Sequence, residues 1–130
     1  MIELRIDTER QEQFVEITGP IQEAIVGAGL RDGVCTAFCP HTTAGLTINE
    51  HADPSVMDDM SQALDRAVPS DGPWRHLEGN SPAHAKAMLV GPSVQVIVED
   101  GKLILGRWQG IFFCEFDGPR ERRIWLHGAS

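Results

Sequence analysis

Apolar and polar positions alternate with two different periods along the chain. Ile2 to Ile6 and Phe14 to Thr18 alternate or run apolar with β-branched residues, which reads as two strands joined by polar Asp7 to Gln13. A helix is expected next. Gly19 sits at its cap, Pro20 is suited to its first position, Ile21 and Ile25 share a face, and Gly29 marks its stop. Val34 to Cys39 reads as a strand with Cys35, Ala37 and Cys39 on one side; if it continued, His41 would lie on that side too. Extended structure resumes at Leu46 to Asn49. Asp53-Pro54 then starts a helix with an apolar stripe of Val56, Met60, Ala63, Leu64 and Ala67, and Pro69, Gly72 and Pro73 end it.

Ser81-Pro82 repeats the start signal for a helix running through Met88 and Leu89 to Gly91-Pro92. The period then returns to two. Val94 to Glu99, Asp100-Gly101 and Lys102 to Leu105 have the signature of a hairpin, because both central residues of its tight turn take positive φ. Gln109 to Phe116 and Arg122 to Leu126 follow as a second strand pair, joined by Asp117 to Arg120. About eight strands and three helices, with the last strands in succession, predict an α+β fold of antiparallel sheets packed as a sandwich. A parallel fold would alternate one helix with each strand.

Composition narrows the function. At 130 residues without repeat or linker, the chain reads as a single domain spanning 1–130. Its net charge of −8 and its 6% aromatic content argue against nucleic acid as a partner, since duplex binding needs clustered cations and single strands need stacking platforms. No stretch reaches the ~20 apolar residues of a membrane span, and the polar start is neither signal nor transit peptide, so the expected location is cytoplasmic. Cys35, Cys39 and Cys114 are odd in number and lack CxxC spacing, so reduced, buried thiols are expected.

The histidines carry the sharpest candidate chemistry. His84, in the first turn after a Ser81 cap, would be kept neutral by the positive helix end, with a ring nitrogen free as a ligand or acceptor. His76 lies one loop upstream and His41 at a strand end. Three imidazoles around an open position suit zinc or a similar divalent ion, although their spacing is equally that of ordinary hydrogen-bonded histidines. Glu115 and Asp117, two apart on a strand, are either a base with its orienting partner or a solvated acidic face. Asp53 reads as a helix cap. Arg120 and Arg122 suit bidentate contact with phosphate or carboxylate, and Thr42 and Thr43 beside His41 could cradle an anion. Trp108 and Gln109 are candidates to line a pocket, with core packing accounting for the indole equally well.

Five blocks in order, His41-Thr-Thr-Ala-Gly-Leu-Thr-Ile-Asn-Glu50, Asp53 to Val56, His76 to His84, Leu105 to Gln109 and Glu115 to Arg120, resemble the YjbQ-like family of secondary thiamine-phosphate synthase enzymes. The likeness spans nearly the whole chain. It implies an α+β fold of sandwiched antiparallel sheets assembled as a homotrimer, and a histidine site carried over to His41, His76 and His84. Asn80, Glu50, Asp53, Glu115 and Arg120 would be its supporting shell. The implied activity joins a pyrimidine pyrophosphate to a thiazole phosphate. Gly106-Arg107 stands where the family often has threonine before the tryptophan, and His51 where asparagine is common.

The resulting expectation is an enzyme whose partner is a small phosphorylated metabolite. His41, His76 and His84 would hold a divalent metal, with zinc the first candidate and magnesium an alternative for a pyrophosphate substrate. His41, Glu50, His84, Glu115 and Arg120 would carry catalysis, while Thr42, Thr43, Asn80, Trp108, Gln109, Arg120 and Arg122 would hold substrate. A metal-dependent hydrolase of a phosphoester or amide, and a non-enzymatic trimer that binds metal or metabolite, would use the same residues.

Overall fold

Alternation at the start of the chain produces an edge strand. The structure is a computed structural model describing residues 1–130. β1 (Ile2–Asp7) turns Ile2, Leu4 and Ile6 toward the interior and leaves Glu3, Arg5 and Asp7 outside. β2 (Gln13–Glu16) stops two residues earlier than its apolar run implied, because Ile17 is already the cap of α1 (Thr18–Gly27). Gly19 is therefore inside the first turn, as is Pro20, whose missing N–H costs nothing there. Ile21 and Ile25 face the core as expected.

β3 (Gly33–Phe38) and β4 (Ala44–Glu50) flank the His41 loop. Asp53 caps α2 (Pro54–Ala67), its side chain accepting the Ser55 N–H at 3.0 Å. The stripe that α2 turns inward is Met57, Ser61, Leu64 and Val68, whereas Met60, Ala63 and Ala67 of the expected stripe face solvent. Both stripes satisfy a 3.6-residue period, and packing selects the one carrying the larger buried side chains. α3 (Ser81–Val90) is capped by Asn80 rather than Ser81, without a side-chain capping bond. β5 (Ser93–Glu99) and β6 (Lys102–Leu103) form the expected hairpin, with φ of 52° at Asp100 and 77° at Gly101.

The last two strands depart most from expectation. β7 (Gln109–Glu115) and β8 (Glu121–Ala129) do not pair. β7 lies between β2 and β4 in a three-stranded sheet, and β8 lies between β1 and β3 in a five-stranded sheet of order β1-β8-β3-β5-β6. Residues 117–120 are thus a corner between sheets rather than a hairpin turn. Gly118 is required there, because a Cβ would run into the Arg10 carbonyl and stand 2.9 Å from Glu115 Cγ. The Gly118–Pro119 peptide is cis.

All strand pairs are antiparallel, and the sheets face each other across one core. Cys35, Val96, Val98, Ile124 and Leu126 of the large sheet meet Leu46, Ile111 and Phe113 of the small one, with Ile21 and Ile25 from α1. Burying Phe113 completely stabilises the fold by about 1.5–3 kcal/mol. α2 and α3 cover the opposite face of the small sheet, where Met57, Ala83 and Ala87 pack on Phe112, Cys114 and Phe116. β7 is therefore covered on both sides. The three cysteines are free and buried, and burial pushes the Cys114 thiol up to about 12. No helix is long and apolar enough to cross a membrane.

Candidate functional site

The corner at residues 117–120 brings two acid–arginine pairs within a few residues of each other. Glu115, at the end of β7, is completely buried and binds Arg122 of β8 through Nε at 2.8 Å and through Nη2. Thr8 Oγ1 donates to the same carboxylate at 2.7 Å and the Asp117 N–H at 3.0 Å. Burial alone would push the Glu115 carboxyl up, but the bonds from Arg122, the Asp117 N–H and Thr8 overcome it and hold the carboxyl below its ordinary range. Arg122 also donates to Thr43 Oγ1 at 2.8 Å. These contacts make Glu115, Arg122 and Thr43 a clamp between the sheets, with the Glu115 carboxylate and the Thr43 hydroxyl both engaged inside the protein. Of the two readings of Glu115 and Asp117, a solvated acidic face does not hold for Glu115, because β7 is covered on both sides there.

The second pair faces outward. Asp117 accepts from Arg120 Nη2 at 3.1 Å and from Asn80 Nδ2 at 2.8 Å, while Arg120 Nε donates to the Asp117 carbonyl at 2.8 Å. The Asp117 contact fixes the Asn80 amide, since the flipped amide would set two oxygens together. Asn80 Oδ1 is left buried with no partner in the chain. Beyond these residues opens a cavity of 420 Å³, with His41, His76, His84, Thr42, Glu78 and Arg120 in its wall. None of its lining residues is hydrophobic.

His41 is held by the backbone of β8. Its Nε2 lies 2.9 Å from the Arg123 nitrogen and 3.1 Å from the Arg123 oxygen, so either tautomer finds a partner there. Nδ1 makes no bond within the chain and offers either a proton or a lone pair. Burial, reinforced by the Arg122 charge, lowers the His41 pKa and keeps the ring neutral near pH 7. The His76 and His84 rings meet edge to face with centres 5.4 Å apart, and His76 Nε2 lies 3.9 Å from Glu78 Oε2.

The three histidines therefore share one cavity, yet no group of three or more His, Cys, Asp or Glu side chains is arranged to hold a metal ion. Two features nevertheless fit such an ion. Two imidazoles on one tetrahedral zinc, at ~2.0–2.1 Å each, have ring centres roughly 5 Å apart. The Arg123 carbonyl is the kind of partner a metal-bound imidazole uses for its other N–H.

Glu50, Trp108 and Gln109 do not reach this cavity. Glu50 pairs with Gln109 at one end of the β4–β7 ladder while Ala44 pairs with Glu115 at the other, six residues or about 20 Å away. Trp108 is exposed, with Arg107 over its ring at 4.8 Å. Glu50 accepts the Ala52 N–H at 3.0 Å and borders a different cavity. No motif pointed to Thr8, whose hydroxyl ties Glu115 to the corner 107 residues later. Asp117 was visible only as a carboxylate, not as the group that orients Asn80 and Arg120.

The family model described as "UPF0047 protein YjbQ-like" matches residues 2–129. The UPF0047 protein MJ1081 of Methanocaldococcus jannaschii is 48% identical over 126 residues, covering 97% of this chain and 91% of the relative. The UPF0047 protein YugU of Bacillus subtilis is 48% identical over 124 residues, covering 95% and 94%. The crystal structure of an uncharacterized conserved YjbQ/UPF0047 protein from Clostridium acetobutylicum superimposes with a TM-score of 0.96 at 50% identity, covering 99% of this chain and 100% of that one. A YbjQ-like protein of unknown function from Sulfolobus solfataricus has a TM-score of 0.91 at 33% identity, over 96% and 92%.

Proposed function

The chain belongs to the YjbQ-like UPF0047 family, and from that premise we propose that it is an enzyme acting on a small phosphorylated metabolite at the His41–His76–His84 cavity. The observation that carries this reading is the convergence of three imidazoles and the half-exposed Arg120 guanidinium on a cavity lined without hydrophobic side chains. Arg120 is oriented by Asp117 and would hold phosphate oxygens with the Thr42 hydroxyl beside it. His41, neutral and anchored through Nε2, presents a single lone pair at Nδ1, which accepts a proton in the metal-free site and is a ligand once an ion is bound.

His76, His84 and Nδ1 of His41 would hold a divalent cation, zinc first by the nature of the donors. Such an ion supplies positive charge to phosphate oxygens. The first reaction to test is the one the resemblance implies, in which a pyrimidine and a thiazole phosphate join as pyrophosphate leaves. Assembly as a homotrimer is part of the same proposal. It is supported by the uncovered face of the large sheet, where Phe38 and Trp125 stack with ring centres 5.9 Å apart and Ile97 is exposed.

Elemental mass spectrometry on protein purified without chelator tests the site. The expected result is about one divalent ion per chain, lost in His41→Ala and His84→Ala, together with thiamine phosphate formation or phosphoester turnover that His84→Ala lacks. Metal-loaded protein without either turnover would overturn the enzymatic reading. A monomer by light scattering would overturn the assembly.

A further inference from the structure

A second cavity lies between α2 and the outer face of the small sheet, separate from the His41–His76–His84 cavity. It measures 290 Å³, and its floor is apolar: Phe14 from β2, Phe112 and Phe116 from β7, and Met57 from α2. Three of the five phenylalanines in the chain are gathered here. Phe14 and Phe116 stand edge to face, ring centres 6.4 Å apart at 90°, so the floor offers both a π face and ring edges. A dry cavity of about 150 Å³ holds a benzene ring, so 290 Å³ accommodates one with a polar substituent.

The rim has the opposite chemistry. Glu50 projects from the end of β4 and Asp58 from α2, and neither forms an ion pair within the chain. Glu12 also borders the cavity, where it is engaged by Lys86 Nζ at 2.9 Å, a cation it shares with Asp65. Glu115 backs the floor with its charge matched by Arg122. Arg10, exposed and without an ion pair, is the only arginine or lysine in the lining, and His51, also in the lining, is paired with Glu16 at 2.9 Å. Two free carboxylates therefore oppose one free guanidinium above an aromatic floor. That is the environment an organic cation prefers over a neutral or anionic ligand of the same shape.

We propose that this cavity is a second ligand site, taking a small organic cation with a flat aromatic body. The ring would lie on Phe14, Phe112 and Phe116, and the cationic group would point to Glu50 and Asp58. This assigns Glu50 a binding role away from the histidine cavity, where the geometry does not bring it.

Three ligands of nearly one shape test the proposal: benzylammonium, benzyl alcohol and benzoate, titrated by NMR against the intact protein with the Met57 methyl signal, assigned through Met57→Leu, as reporter. Benzylammonium should move the Met57 signal and bind about tenfold tighter than benzyl alcohol, the ratio that 1.4 kcal/mol of charge interaction produces. Benzoate should be weakest. Glu50→Gln with Asp58→Asn, both on the rim and outside the core, should abolish the preference while benzyl alcohol binding is unchanged. Equal binding of cation and alcohol, tighter binding of benzoate, binding that leaves Met57 unmoved, or no binding at millimolar concentration would each overturn it. Inorganic phosphate, titrated separately, reports on the histidine cavity, so failure of either site is read independently.

Discussion

The corner joining the two sheets contains the same ion pair twice, once inside and once outside. Glu115 and Arg122 have side chains 0% and 3% exposed, whereas Asp117 and Arg120, two residues inward along the chain from each, are 22% and 50% exposed. The inner pair completes a closed set of bonds with Thr8, Thr43 and the Asp117 N–H; the outer pair orients Asn80 and keeps guanidinium surface free in a cavity. Burial therefore divides the work. A buried charge without its partner is very costly, so the inner residues hold the sheets together even where Thr43 and Arg122 border the histidine cavity, while solvent makes the outer pair weak and adaptable. A carboxylate and an arginine with the right spacing for catalysis are, one step deeper, framework.

Removing one inner partner should give the largest effect. Arg122→Met leaves the Glu115 carboxylate buried without its cation and is expected to cost about 3–5 kcal/mol. This is read as a lowered urea midpoint at unchanged m-value. A loss below about 1 kcal/mol would break the comparison, placing the inner pair in the same class as the outer.

The pH dependence should then change sign. In the parent protein the folded pKa of Glu115 lies below its unfolded value near 4.5, so the unfolded state binds more protons in that interval. The stabilisation is complete above about pH 4.5 and disappears as pH falls through the folded pKa. In Arg122→Met the buried carboxyl has lost its main partner, its folded pKa rises above the unfolded one, and acidification should instead recover stability. Urea midpoints from about pH 2 to about pH 7 measure both slopes, the parent's below pH 4.5 and the variant's above it. Equal slopes would mean Glu115 does not depend on Arg122.

The outer pair gives the smallest stability effect and the sharpest functional one. Arg120→Ala should change stability by less than about 1 kcal/mol, since its ion pair is half solvated. Inorganic phosphate should raise the melting temperature of the parent, and Arg120→Ala should remove that rise. A phosphate response that survives in Arg120→Ala would move anion binding away from this residue.

Local chemistry made much of the fold legible. Asp53-Pro54 and Asp100-Gly101 announce a helix start and a tight turn through their own backbone requirements, and both are found where expected. The cap of α3 shifted by one residue because Asn80 and Ser81 are both cap-forming types. The destination of β8 was hidden. Asp-Gly-Pro-Arg supports a hairpin and a corner equally, and only the core decides which sheet the next strand joins. Glu115 stayed open between two readings for a related reason: a charged residue on a strand looks solvated until both faces of that strand are known to be covered. Glu50 follows closely after His41 in sequence, but a strand carries it about 20 Å away. The histidines were legible as a group because loops and element ends, where they lie, converge at one end of the sheets.

The placement of β8 between β1 and β3 also sets an order of events during synthesis. Ile2 waits for Leu126, and Val34 for Ala129, before the large sheet has its middle strand. The anchor of His41 is the Arg123 backbone, and the clamp on Thr43 is the Arg122 side chain, so a chain still missing residues 121–129 has three histidines and no site. Such long-range pairing makes folding slow relative to a helical chain of this size. The cavity is thus complete only when the last strand has been inserted, and a chain that ends before residue 121 lacks the groups that hold His41 and Thr43.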